Sequence, residues 1–267
     1  MALTTLAVSV GDNCVDHYLP PIERRFVGGN ALNVAVHMQR SGLPAAYVGA
    51  VGNDEKGTFM LNGLQNLGVD ISHVQVIPGQ TSQTDIRLTP EGDRIFVHET
   101  IGPVKTLELS DPTKQFIYQH KLVHNTWLGG TEKYLPEFKK AAMLVSLDYG
   151  ERYPAKFLDE TVSYIDIAFL SLPEEESSQA PGLAQQVASR GPRLVVVTMG
   201  REGSLAFDGH FYKQPAIPIQ VLDTLGAGDT FIGVFLANWL KSNSLARCLQ
   251  EAAQAAARTC THYGAWE

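Results

Sequence analysis

Asp223-Thr-Leu-Gly-Ala-Gly-Asp229-Thr-Phe231, followed at once by the apolar run Ile232 to Leu240, is the stretch on which the reading of this chain turns. Gly226, Ala227 and Gly228 leave three consecutive backbone N–H groups unshielded by side chains, where a helix should begin. The first turn of a helix has free N–H groups and a partial positive charge, a combination that holds anions, phosphate above all. Asp229 follows immediately, so an anion held there lies beside a potential proton acceptor. A phosphoryl group next to a base is the minimal apparatus for moving phosphate onto a hydroxyl. Taken alone, the same residues also read as a Gly-rich turn before a buried helix, with Asp229 as a first-turn partner of the helix dipole.

A second Gly-rich segment lies near the N-terminus, Gly28-Gly29-Asn30-Ala31-Leu32-Asn33. Two glycines let backbone approach a ligand closely, and two amides on a first helical turn can hydrogen-bond hydroxyls. An Asn-capped helix after a flexible turn is the plainer alternative. Upstream, Gly11-Asp12-Asn13-Cys14-Val15-Asp16 follows the first apolar run. In open parallel sheets ligands bind outside the carboxyl ends of strands, which places Asp12 and Asp16 to grip a polyol; otherwise they are turn residues.

Between these segments short apolar runs alternate with helical patterns. Leu6 to Val10, Ala45 to Val51, Lys121 to His124, Met143 to Leu147, Ile165 to Leu170 and Arg193 to Thr198 read as strands. Asn30 to Ser41, Glu55 to Leu67, Glu132 to Ala142, Ala155 to Tyr164 and Glu174 to Ser189 read as helices. This spacing indicates βαβ units around a mostly parallel sheet, an α/β fold. Val15 to Val27 and Thr81 to Glu99 break the rhythm. In the second, Thr84 to Leu88 and Arg94 to His98 look like hairpin arms around Pro90-Glu91-Gly92-Asp93, suggesting a small β flap. Asp208-Gly209 marks another hairpin, and Ser244 is a plausible N-cap for a last amphipathic helix running to Cys260. With no repeat or linker, the 267 residues are expected to form one domain.

The formal net charge is −7 without a long basic run, so no electrostatic footprint for nucleic acid or an anionic membrane is present. Ile232 to Leu240 is far short of the ~20 residues a bilayer span needs. Three cysteines without a C-x-x-C point to a reducing compartment, and the expected location is the cytoplasm. Gly52 to Thr58 has the glycine spacing of a P-loop but lacks the Lys before Thr, and no G-x-G-x-x-G follows the first strand. No G-x-S-x-G elbow occurs, and a metal site at His120 and His124 is improbable on a strand.

Taken together, the two Gly-rich segments resemble the paired motifs of the ribokinase-like, or PfkB, carbohydrate kinases. The first runs on through Val51-Gly52-Asn53-Asp54-Glu55-Lys56-Gly57, and the second is Asp223 to Asp229. The resemblance implies a three-layer α/β/α fold with a mostly parallel central sheet and a small β-strand lid, formed by segments about 14–27 and 81–100. It implies ATP-dependent phosphorylation of a sugar hydroxyl, with Mg2+ and a monovalent cation such as K+ as cofactors. Asp229 would be the catalytic base, and Gly226, Ala227 and Gly228 the anion hole. Asp16, Gly28, Gly29 and Asn33, joined by Asp12, would contact the sugar. Thr198, Gly200 and Gly203 would lie beside ATP, Glu174 near magnesium, and Asp223 at the monovalent cation. Two departures stand out: Ser171-Leu-Pro-Glu174 replaces the family's Asn-x-x-Glu, and Asp148-Tyr-Gly-Glu-Arg152 lacks the Asn of Asp-x-Asn-x-Arg.

Within the family the likeness leans toward kinases of fructosamines, fructose bearing an amine at C1 with its 6-hydroxyl as acceptor. Asp12, Asp85 or Glu99 could meet the extra cation, and Arg24, Arg25 or Arg87 a carboxylate. A kinase for another ketose, ribose or a nucleoside is the alternative, as is a sugar- or nucleotide-binding regulator without catalysis. The helix dipole is expected to keep Asp229 ionised at neutral pH. An exposed lid edge could pair with a second copy, giving a homodimer.

Overall fold

The computed structural model describes residues 6–89, 94–141 and 143–266. In chain order the first strands are β1 (Ala7–Val10), β2 (Cys14–Tyr18), β3 (Arg24–Gly28), β4 (Ala45–Val48) and β5 (Ala50–Gly52). They are followed by β6 (Gln75–Ile77), β7 (Gln83–Leu88), β8 (Arg94–Thr100), β9 (Leu122–Thr126) and β10 (Leu144–Asp148). The last four are β11 (Ile167–Ser171), β12 (Leu194–Thr198), β13 (Ser204–Phe207) and β14 (Phe211–Gln214). The α-helices are α1 (Asn30–Arg40), α2 (Glu55–Asn66), α3 (Asp111–Ile117) and α4 (Leu135–Lys140), then α5 (Ala155–Thr161), α6 (Ala180–Ala188), α7 (Ala227–Leu240) and α8 (Leu245–Thr259).

Eight strands form the main sheet in the order β14-β13-β12-β11-β10-β9-β1-β4, parallel from β12 through β4 and antiparallel at the β12-β13-β14 end. β12 shows why. Its Leu-Val-Val-Val-Thr run is apolar on both faces, as a strand covered on both sides must be. Val195 and Val197 enter a core with residues of α3 to α6, whereas Leu194 and Val196 enter another with α1, α7 and α8. The result is the three-layer α/β/α arrangement expected.

The two segments that break the helical rhythm come together in a separate four-stranded sheet, order β3-β2-β7-β8. β7 and β8 are the expected hairpin arms; the turn at 90–93 lies outside the described residues. Other expectations need adjustment. Ala45 to Val51 is two strands, because the chain at Gly49 passes so close to Tyr47 that a Cβ there would lie 2.1 Å from its hydroxyl. The helices expected from Glu132 and Glu174 begin as 3-10 turns and become α-helical at Leu135 and Ala180, each with a proline in its first turn. The end expected at Ala142 falls outside the described residues. The helix expected to reach Tyr164 stays α-helical only to Thr161, whose hydroxyl bonds back to the Phe157 carbonyl at 2.6 Å. Ser244 caps α8 as expected, accepting from the Arg247 amide.

Candidate active site

The head of α7 is built on Gly226, its N-cap, at φ 74°. A Cβ there would lie 2.2 Å from that of Ala265, so the chain's last described turn packs directly under the loop. At Gly228 a Cβ would meet no atom within 4 Å, which leaves the helix mouth accessible. Not all three expected donors are spare: the Ala227 amide donates to the Thr224 carbonyl at 3.3 Å. Just before the turn, buried Asp223 accepts from the Leu225 amide at 2.9 Å, the Gly264 amide at 3.0 Å and the Tyr18 hydroxyl. Tyr18 belongs to β2, so this carboxylate ties the smaller sheet to the anion turn.

Asp229 lies in the first turn of α7, buried, where α7 crosses α1. Gly233 permits that crossing, since a Cβ there would lie 2.6 Å from the His37 Cβ. Across it, Asn33 Nδ2 donates to Asp229 Oδ2 at 2.8 Å, and Asn33 Oδ1 accepts from Trp266 Nε1 at 3.1 Å. Burial pushes the Asp229 carboxyl up to about 8; the Asn33 hydrogen bond opposes this, while the carboxylates of Asp148 and Asp12 add to it. Burial thus opposes the helix dipole that was expected to keep Asp229 ionised at neutral pH. Desolvation of a buried carboxylate exceeds the partial charge of a helix end.

On the side of the smaller sheet, buried Asp16 fills the space beside Gly28: a Cβ there would lie 1.9 Å from Asp16 Oδ2. Gly29, at φ 107°, lies so close to Asn13 that a Cβ would stand 2.3 Å from its Cα. Burial raises Asp16 to about 7, a shift opposed by the Cys14 thiol that donates to it at 3.2 Å. Asp12, expected to join the sugar contacts, is fixed by the head of α1. Its carboxylate accepts from the amides of Asn30 at 2.7 Å and Ala31 at 3.2 Å and from Thr126 Oγ1 at 2.5 Å, capping α1 from outside the helix.

On the opposite side, β11 and β12 end together, with Ser171 paired to Thr198. Their hydroxyls are 2.8 Å apart, and the Ser171 amide donates to the Gly150 carbonyl at 2.9 Å. The two positions that depart from the family pattern, Ser171 and Gly150, are thus joined to each other. Glu174 Oε1 accepts from the Arg201 amide at 2.9 Å, and a Cβ at Gly200 would lie 2.6 Å from the same oxygen. Gly203, at φ 90°, packs on the Gln214 carbonyl. Among the described residues no three His, Cys, Asp or Glu side chains are grouped to hold a metal ion.

The sequence profile of the pfkB family of carbohydrate kinases matches residues 15–267. The chain belongs to that family. This pfkB kinase is 36% identical over 265 residues to fructoselysine 6-kinase of Escherichia coli (strain K12), covering 99% of this chain and 100% of that one. It is 34% identical to the fructosamine kinase FrlD of Bacillus subtilis (strain 168), covering 97% and 92% respectively. Among solved structures, Arabidopsis thaliana ribokinase complexed with ribose and ATP superposes with a TM-score of 0.81 at 25% identity, covering 98% of this chain and 95% of that one. Adenosine kinase from Schistosoma mansoni shares the fold with a TM-score of 0.86 at 18% identity, covering 99% and 97%.

In this pfkB kinase Asn33 and Asp229, 196 positions apart, meet as a hydrogen-bonded pair. Thr198, Gly200, Gly203 and Glu174 form a second cluster. Three participants escaped sequence reasoning. Tyr18 and Trp266 support Asp223 and Asn33, and Arg94 reaches from β8 to Thr224. Only Arg94 left a trace: a cation at the inner end of a hairpin arm. No described helix is long and apolar enough to cross a membrane.

Proposed function

We propose that this chain is an ATP-dependent kinase that phosphorylates the 6-hydroxyl of fructoselysine or a closely related fructosamine. The observation that carries the reading is the Asn33–Asp229 pair at the accessible mouth of α7. The two relatives named as fructoselysine and fructosamine kinases, aligned over nearly the whole chain, support the substrate class. The four-stranded sheet serves as the lid of a single domain, with Asp16, Gly28 and Gly29 on the sugar side. ATP with Mg2+ supplies the phosphoryl group and part of the charge neutralisation. The open space at Gly228, where a Cβ would meet no atom within 4 Å, leaves room for an anionic group at the helix end. Thr198, Gly200 and Gly203 would hold the nucleotide and Glu174 the magnesium side.

Asp229, oriented by Asn33, takes the proton from the sugar hydroxyl as its oxygen attacks. The remaining amides at the head of α7 stabilise negative charge on the transferring group. A carboxyl held at about 8 is largely protonated at pH 7, so the active fraction grows as the pH rises. The kcat/KM profile is expected to climb to a limb near pH 8, because that ratio reports the free enzyme's base. Asp229→Asn should lower kcat by ~10²–10⁴ and remove the limb. ATP-to-ADP turnover with fructoselysine, other fructosamines, fructose and ribose tests the assignment. Tight sugar binding without turnover in the natural chain would make it a binding regulator instead.

The chain is expected to work in the cytoplasm, beside its ATP supply. A second copy is expected to pair along β8, the edge strand of the lid, where Ile95, Phe96 and Val97 are each about half exposed. Sedimentation of a Phe96→Lys variant checks this. A K+ titration of turnover decides the monovalent-cation expectation at Asp223, whose carboxylate already accepts three protein donors.

A further inference from the structure

A fructosamine carries a charge that plain sugars lack, the protonated amine at C1, at the opposite end of the ketose from its 6-hydroxyl. Asp12, Asp85 and Glu99 are the acids that the sequence offers to meet it. The strand register of the smaller sheet separates them. Side chains alternate across a strand, so one residue of known direction fixes a whole face. The Tyr18 hydroxyl reaches Asp223, and Arg94 Nη1 lies 3.3 Å from the Thr224 carbonyl oxygen, so both point into the cleft. Asp16, two residues before Tyr18, shares that face. It pairs with Thr84 of β7, and Thr84 pairs with Glu99 of β8. Asp16, Thr84 and Glu99 therefore form one row across the cleft face.

The irregularity in β8 decides the last member of that row. Plain alternation from Arg94 through Phe96 would turn His98 toward the cleft. The register shift between Asp85 and Ile86 leaves Val97 without a partner, so His98 faces outward opposite Asp85 and Glu99 faces inward. Asp85 lies on the outer face, where it accepts from Gln83 Nε2 at 2.8 Å and stands 2.9 Å from His17 Nδ1. Asp12 is held at the head of α1 by two amides and the Thr126 hydroxyl. Glu99 is exposed, and among the described residues no hydrogen bond or ion pair engages its carboxylate. Two strand spacings, about 10 Å, separate it from Asp16. A hexose held by its ring hydroxyls at Asp16 spans that gap with its C1 substituent leading.

We infer that Glu99 is a specificity-determining residue, turned into the cleft by the bulge in β8 to pair with the C1 ammonium of a fructosamine whose ring hydroxyls lie at Asp16. The inference rests on the substrate reading above. A charge-assisted bond to an ammonium is roughly twice as strong as one to a neutral hydroxyl, so this placement favours an aminated ketose over fructose.

The test compares the natural chain with Glu99→Gln, Glu99→Asp and Asp85→Asn, by calorimetry and steady-state kinetics on fructoselysine and fructose. Glu99→Gln should raise the Kd and KM for fructoselysine about tenfold, with kcat and the fructose constants within about twofold. Glu99→Asp should recover part of the loss, and Asp85→Asn should leave both sugars unaffected. Added salt should weaken fructoselysine binding by the natural chain more than by Glu99→Gln. An unchanged fructoselysine KM in Glu99→Gln, an equal loss for both sugars, or an Asp85→Asn effect of the same size overturns the inference. The two readings fail separately. Fructoselysine turnover that Glu99→Gln leaves untouched removes only the role of Glu99. Glu99-dependent binding of fructoselysine without phosphoryl transfer removes only the kinase reading. A natural chain that neither binds nor phosphorylates fructoselysine removes both.

Discussion

The two sides of the cleft are built in opposite ways. On the side proposed to take the sugar the glycines have no room: added Cβ atoms at Gly28 and Gly29 would stand 1.9 Å from Asp16 Oδ2 and 2.3 Å from the Asn13 Cα. Asp16, Asn33 and Asp229 there are all buried. On the side proposed to take the nucleotide the parts are surface turns. Glu174 is half exposed, and the atom that a Cβ at Gly200 would strike is the tip of its flexible side chain. A buried site fixes its ligand's geometry but leaves nothing free to yield. A site of surface turns gives up geometric precision and absorbs sequence change. That contrast explains how Ser171 and Gly150 can replace the family's asparagines without breaking the local hydrogen bonds.

The sharpest way to break the comparison is to add the same methyl group to each side. Gly28→Ala should raise the sugar KM at least tenfold and destabilise the chain by about 1–3 kcal/mol, as overpacking does. Gly200→Ala should leave the sugar KM unchanged and raise the ATP KM only a few fold, because Glu174 can turn aside, while the left-handed backbone there (φ 53°) costs an alanine about 1 kcal/mol of stability. Steady-state kinetics with both substrates varied, beside thermal melts, reads all four numbers. Equal effects on the sugar KM would mean that the two sides do not differ.

A second test concerns the cost of burying charge on the sugar side. Asp16 ionises near its ordinary value of 3.8 in the unfolded chain and at about 7 in the folded one. Between those values the folded state retains a proton that the unfolded state has lost, so stability falls as pH rises from about 4 to about 7. Asp16→Asn carries no such penalty. Its melting temperature should draw progressively ahead of the natural chain over that window and stay ahead above it. Each pK unit is worth roughly 1.4 kcal/mol, so a lead of several degrees by pH 7 is expected, with sugar affinity lost in exchange. A constant gap from pH 4 to 8 would show that Asp16 does not titrate as its burial dictates.

The smallest effect is expected on the open side. Ser171→Asn restores the family's amide next to Thr198, and should lower the ATP KM two- to fivefold without changing the sugar KM or the melting temperature. A loss of stability instead would show that this side is as closely packed as the other.

Much of the fold could be read from the sequence because its causes are local. The β-branched run of β12, the Ser244 cap and the glycines before Asp229 act on neighbours within a few residues. Ser110-Asp111-Pro112 starts α3 by the same local logic, with a serine cap and an early proline. The site was legible as a set of residues but not as a set of roles. Asp12 follows the first strand, but that its carboxylate accepts from amides 18 and 19 positions away is not written in the spacing. The proton affinity of Asp229 depends on burial, which no spacing reports. Tyr18 and Trp266 act across 205 and 233 positions on Asp223 and Asn33, through packing that exists only after folding.

Strand β3 passes through Gly28 and Gly29 straight into α1, the helix that carries Asn33, and β2 holds Asp16 and Tyr18 together. The inner half of the proposed lid is therefore shared with the residues proposed to move the proton. Descendants adapting to a new sugar would find that half closed to change, since almost any replacement disturbs Asp229 or Asp223. Innovation is channelled into β7 and the part of β8 beyond Arg94. A mutational library confined to those strands is where altered acceptor preference should be sought.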